Sequence, residues 1–146
     1  MNKEKTLLNY QDKWEILCNK ASKGYDKLSY AERVWVNIQG LIGTVDNGGI
    51  ISFFYNYDAD YYEETIEDLK ILGQEKIVCL LEMCAKIFPN SIVPKTIEER
   101  NDIINNLPDD GSFDNMYEEI NNKFYEYEKE LEQILINYLI KNKIIE

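Results

Sequence analysis

Apolar residues recur at three- and four-residue steps along most of this chain, the spacing that places them on one face of an α-helix. Leu7, Leu8, Trp14, Leu17 and Cys18 predict a first helix from about Lys5 to Lys20, broken by Lys23-Gly24-Tyr25-Asp26. Ser29-Tyr30-Ala31-Glu32 reads as a capping box, in which the serine hydroxyl takes the third amide and Glu32 reaches back. Val34, Ile38, Leu41, Ile42 and Val45 then form the buried stripe of a second helix, which should stop at Asn47-Gly48-Gly49. Ile50 to Asn56 is too short a run for its period to separate a buried helix from a strand.

Asp60-Tyr61-Tyr62-Glu63 can cap a further helix that turns Tyr62, Ile66 and Leu69 inward and ends at Gly73. Gln74 to Phe88 carries Ile77, Leu80, Leu81, Cys84, Ile87 and Phe88 at the same spacing, and Pro89 closes it. Thr96 to Glu99 reads as another capping box, opening a short helix to about Leu107, and Pro108 to Gly111 is turn chemistry. From Asn115 to Asn142, Met116, Ile120, Phe124, Tyr127, Leu131, Ile134, Leu135 and Tyr138 make one long stripe. No strand-turn-strand pair, repeat or linker interrupts the pattern. The expectation is an all-α, compact single-domain bundle of about six or seven helices over residues 1–146, with a long C-terminal helix.

Charge changes the picture more than composition does. At 146 residues and 45% hydrophobic side chains the chain can bury a core without staples. It nevertheless carries 27 acidic against 16 basic residues, a formal −11. Residues 1–40 hold seven basic and five acidic groups, while the rest of the chain holds nine and 22. Such a field repels nucleic acid and anionic membrane and attracts basic partners. Two clusters concentrate it. Asp58, Asp60, Glu63, Glu64, Glu67 and Asp68 occur with no basic residue among them, and Asp60, Glu63, Glu64 and Glu67 are expected to share the outer helix face. Glu98 to Glu132 holds twelve carboxylates, Asp109, Asp110, Asp114, Glu118 and Glu119 among them, against Arg100, Lys123 and Lys129.

Candidate chemistry is sparse. Histidine is absent, which removes the commonest catalytic base and metal ligand. Ser29, Ser52 and Ser112 therefore lack an activating imidazole. Asp58-Ala59-Asp60 begins like a calcium loop, but Tyr62 stands where an oxygen ligand belongs and the glycine is missing. Asn47-Gly48-Gly49 is not a phosphate cradle, having neither the further glycine nor a lysine. The aromatic run Phe53 to Tyr62 lacks the lysines and arginines of a base-stacking platform. No enzyme, cofactor or metal is assigned. Cys18, Cys79 and Cys84 are expected as buried free thiols, and with no signal peptide or membrane-spanning run the expected location is the cytoplasm.

At Asp46-Asn47-Gly48-Gly49-Ile50-Ile51-Ser52-Phe53-Phe54-Tyr55-Asn56 the chain resembles a bacterial family first catalogued as a domain of unknown function. The characteristic stretch of that family reads approximately NGGF-x-x-FFYN, and Ile50 replaces its usual phenylalanine. Leu28-Ser29 with Ala31-Glu32-Arg33, Leu69 to Gly73, Phe88-Pro89, Pro94, Glu99-Arg100 and the ending Phe124-Tyr125 through Glu128, Leu131 and Tyr138 agree in order. The likeness spans roughly residues 25–142, leaving 1–24 as an N-terminal helix.

A studied member of that family is an acidic, all-helical DNA mimic that binds a helix-turn-helix transcription factor and keeps it off its operator. The resemblance thus implies a non-enzymatic binding protein with a basic DNA-binding partner. It implies Asn47, Gly48, Gly49, Phe53, Phe54 and Asn56 as fold determinants, and a homodimer is compatible with it. Asp60, Glu63, Glu64, Glu67, Asp109, Asp110, Asp114, Glu118 and Glu119 are the candidate contact surface. Relatives also occur as small accessory proteins near toxin genes, which makes an immunity-type inhibitor of a cationic toxin the rival expectation. A small-ligand or hydrolytic protein using a carboxylate pair is the third.

Overall fold

Ser29 starts the first long helix as its spacing implies. The Ser29 N–H donates to the Glu32 carboxylate at 2.8 Å, and the Glu32 N–H donates to the Ser29 hydroxyl at 3.2 Å. From there α2 runs Tyr30–Gly48 and buries Val34, Ile38, Leu41, Ile42 and Val45. Gly49 ends it at φ +80°, a conformation that a β-carbon disfavours.

Ile50–Phe54 forms a single short helix, α3, which resolves the ambiguity of that run. Five residues cannot hold helical structure by themselves, because nucleation costs more than one turn returns. Tertiary contacts hold it instead. Ile50, Phe53 and Phe54 are fully buried, and the Asn121 side-chain oxygen accepts the Ile50 N–H at 2.7 Å. A β-carbon on Gly49 would lie 2.7 Å from the Asn121 amide nitrogen, so the same contact demands glycine. Asn56 caps the far end, its amide donating to the Ser52 carbonyl at 2.6 Å. The structure gives no such account of Asn47, which is exposed.

The computed structural model describes residues 4–146. The remaining helices are α1 Gln11–Ser22, α4 Tyr62–Ile71, α5 Glu75–Ala85, α6 Ile97–Asn105 and α7 Asp114–Lys141, joined by four short 3-10 turns. No strand occurs among the described residues. The predicted domain start at residue 1, and with it the first three residues of the N-terminal segment, lies outside them. Among the pairs in broad contact, α2 and α5 both touch α4 and both touch α7, so the four form a ring with α4 and α7 at opposite corners. α3 lies against α2, α5 and α7 at its centre. The stripes pack inward there: Leu41, Leu69, Ile77, Leu81, Ile120, Phe124, Leu131 and Leu135 are all 0% exposed. Burying one such side chain contributes about 1.5–3 kcal/mol.

The N-terminal helix departs from its predicted stripe. Leu17 is buried and Trp14 rests 5.8 Å from Trp35, but Leu8 is 79% exposed and Cys18 faces solvent. A 3-10 turn over Leu7–Tyr10 precedes α1 and breaks the angular register that a continuous helix would have kept. Cys79 is exposed as well, on the outer face of α5, so of the three thiols only Cys84 is in the core.

One charged side chain belongs to that core. Arg100 of α6 is 0% exposed. Its Nε donates to the Phe54 carbonyl at 2.9 Å, Nη1 to the Pro94 carbonyl at 2.9 Å, and Nη2 to the Asn56 carbonyl at 2.8 Å and the Asp60 carboxylate at 2.6 Å. These bonds pin the end of α3, the turn before α4 and the start of α6 to one guanidinium. Removing one partner of a buried pair typically costs about 3–5 kcal/mol, since the other is left uncompensated. Arg100→Met should therefore lower the unfolding free energy by roughly that amount in urea titration, and Arg100→Lys should recover only part, because lysine lacks the planar fork. A loss below about 1 kcal/mol in Arg100→Met would remove this cluster from the stabilising core.

Candidate partner-binding surface

α4 turns Thr65, Asp68 and Leu69 inward and leaves Glu63, Glu64 and Glu67 exposed. Glu63 and Glu67 are one turn apart, a separation of about 5–6 Å. None of the ion pairs among the described residues involves these three.

The other carboxylates of the first cluster are occupied inside the fold. Asp60 stands outside α4, in the 3-10 turn Tyr57–Tyr61, and is not a helix cap. It is bound to Arg100, with its side chain 31% exposed. Asp58 packs over Gly40, where an added β-carbon would collide with its carboxylate. Asp68 is 4% exposed and accepts the Asn37 amide at 2.9 Å and the Tyr30 hydroxyl at 3.4 Å. Asn37 also donates to Tyr25, whose ring stacks on Tyr61 at 3.7 Å. Burial pushes the Asp58 and Asp68 carboxyls above the usual range, and the Asn37 and Tyr30 bonds offset only part of that at Asp68.

The second cluster is more open. Asp109 and Asp110 are exposed in the loop before α7, and Asp114, Glu118 and Glu119 are exposed on its first two turns. The Ser112 N–H donates to Asp110 at 2.9 Å, and the Ser112 contacts hold that carboxyl below its ordinary value. Asp114 opens the first turn of α7. Glu119 meets Lys123 at 3.2 Å, an exposed pair of small energetic weight.

A third acidic feature escaped sequence reading. Asp46, near the end of α2, lies close to Glu128 of α7. Burial, together with Asp46 and Glu132, pushes the Glu128 carboxyl up to about 8. One Glu128 oxygen is buried without a partner. The pair is 82 positions apart in the chain, and nothing local in the sequence signals it.

The family model described as DMP19-like protein matches residues 26–142. The chain belongs to that family. No curated protein and no solved structure matches it in the same kind of comparison. The DMP19-like family is one of non-enzymatic DNA mimics. Its characteristic stretch Asn47 to Asn56 lies at the α2–α3 junction, where Gly49, Phe53, Phe54 and Asn56 make the contacts given above. No described helix of this DMP19-like chain is long and apolar enough to cross a membrane.

The raised carboxyls predict an unusual acid response for this DMP19-like fold. A carboxyl whose folded value lies above its unfolded one holds an extra proton in the folded state, so its contribution is lost as pH rises through the folded value. For Glu128 that window runs from its ordinary 4.5 to about 8. Thermal stability should fall across this range, and Glu128→Gln should flatten the decline and raise the melting temperature at its alkaline end. Parallel melting-temperature profiles for the native chain and the variant would contradict the raised Glu128 carboxyl.

Proposed function

We propose that this chain presents its outward carboxylates to the DNA-binding surface of a basic, helix-turn-helix type transcription regulator and so competes with the operator. The observation that carries the proposal is the unpaired carboxylate row on α4. Glu63, Glu64 and Glu67 set three charges along about 6 Å of helix axis. That is a mean spacing of about 3 Å, within about twofold of the one charge per ~1.7 Å of duplex DNA. Asp109, Asp110, Asp114, Glu118 and Glu119 form the second row on the opposite corner, while Asp60 acts by holding the turn beneath the first row. Membership of a DNA-mimic family supports the same direction. Contact through such rows is steered by charge and weakens with salt.

The test is capture from native lysate at low salt, followed by a salt gradient and displacement with duplex DNA. A basic regulator that elutes at moderate salt and is displaced by its own operator is the expected result. The triple substitution Glu63→Lys, Glu64→Lys and Glu67→Lys should then weaken binding by at least about tenfold and flatten its salt dependence. Unchanged affinity removes α4 from the interface. A cationic toxin retained to high salt, and indifferent to operator DNA, would replace mimicry with an immunity role.

A further inference from the structure

A cleft opens where the α6–α7 loop passes over α3. It encloses about 360 Å³, and its wall includes Ile104, Leu107, Phe113 and Tyr117, with Asp109 and Asp114 also lining it. The Phe113 and Tyr117 rings lie 6.1 Å apart and are tilted 31°. Burial, Cys84 and Asp114 push the Tyr117 phenol up to about 12, so the ring stays neutral at physiological pH. No basic side chain lines the cleft. The nearest arginine in sequence, Arg100, is fully buried in its own bonds. The cleft beside α4 is different, since Lys95 lines it and Asp60 is already bound to Arg100.

We infer that the α6–α7 cleft seats one arginine side chain of a protein partner, the guanidinium against the Phe113–Tyr117 wall and between Asp109 and Asp114. This rests on the mimicry reading and specifies its anchor. Aromatic faces attract cations within about 6 Å of the ring centre, and arginine is favoured over lysine because its plane stacks and sheds water more readily. A volume of about 360 Å³ is ample for one arginine side chain. An aromatic wall with two unpaired carboxylates is what a partially desolvated cation requires; an open acidic row provides only steering.

The test is an amide-shift titration of the full chain with Nα-acetyl-arginine methylamide, with the lysine analogue in parallel. The expected result is a saturable response with a millimolar dissociation constant, confined to residues around 104–117 and at least about threefold tighter for arginine. In the exposed double variant Asp109→Asn/Asp114→Asn the response should vanish while the spectrum elsewhere stays unchanged. No saturable response, a response spread equally over Glu63, Glu64 and Glu67, or equal binding of both analogues would overturn the anchor. Regulator capture tests the broader reading separately: a captured regulator whose affinity ignores the double variant overturns the anchor and leaves mimicry standing.

Discussion

Arg100 is the point on which the rest of the molecule is organised. A guanidinium with no solvent contact must satisfy its donors within the protein, because an unpaired buried charge costs several kcal/mol. Three of its partners are backbone carbonyls at places where regular structure ends: Phe54 closes α3, Asn56 opens the turn before α4, and Pro94 precedes α6. Carbonyls at chain reversals lack partners of their own. One arginine thus supplies the bonding that three separate loops would otherwise seek from water. Asp60 completes the set and supplies the opposite charge, which draws it out of the acidic surface.

That selection shapes the charged exterior. Six carboxylates fall between Asp58 and Asp68, and the fold divides them evenly. Asp58, Asp60 and Asp68 face Gly40, Arg100 and Asn37, whereas Glu63, Glu64 and Glu67 reach solvent. The division follows side-chain length as well as position, since the short aspartates sit at close interior contacts and the longer glutamates extend outward. Each like-charge neighbour on α4 costs a few tenths of a kcal/mol. The inner face of the helix offsets this through buried Leu69, Thr65 and the Asp68–Asn37 bond. A helix carrying such a row of like charges is held by the contacts on its opposite side.

The glycine pair at the end of α2 shows how local and distant demands meet at one position. Gly49 is required locally by its left-handed backbone and distantly by Asn121, which approaches too closely for a β-carbon. The cap that Asn121 gives to Ile50 lets a five-residue helix lie across the centre of the ring. Phe53 and Phe54 then reach the core, Phe54 against Phe88 at 5.6 Å and Tyr62 at 5.7 Å.

Much of the architecture was legible from residue order. The Ser29–Glu32 cap, the stop at Gly49, and the stripes of α2, α5 and α7 follow from interactions spanning four residues or fewer, which periodicity and capping chemistry report directly. Strong net negative charge after residue 40 and the absence of histidine were equally plain. Tertiary structure alone decided that Ile50–Phe54 is helical, that Leu8 and Cys18 turn outward, and that Arg100 is internal. It alone decided which carboxylates are engaged inside the fold and which stay exposed. The Asp60–Arg100 pair spans 40 positions and Asn37–Asp68 spans 31. Most buried polar groups need a partner within about 3 Å, and that partner is set by how the helices pack, not by the spacing of residues along any one of them.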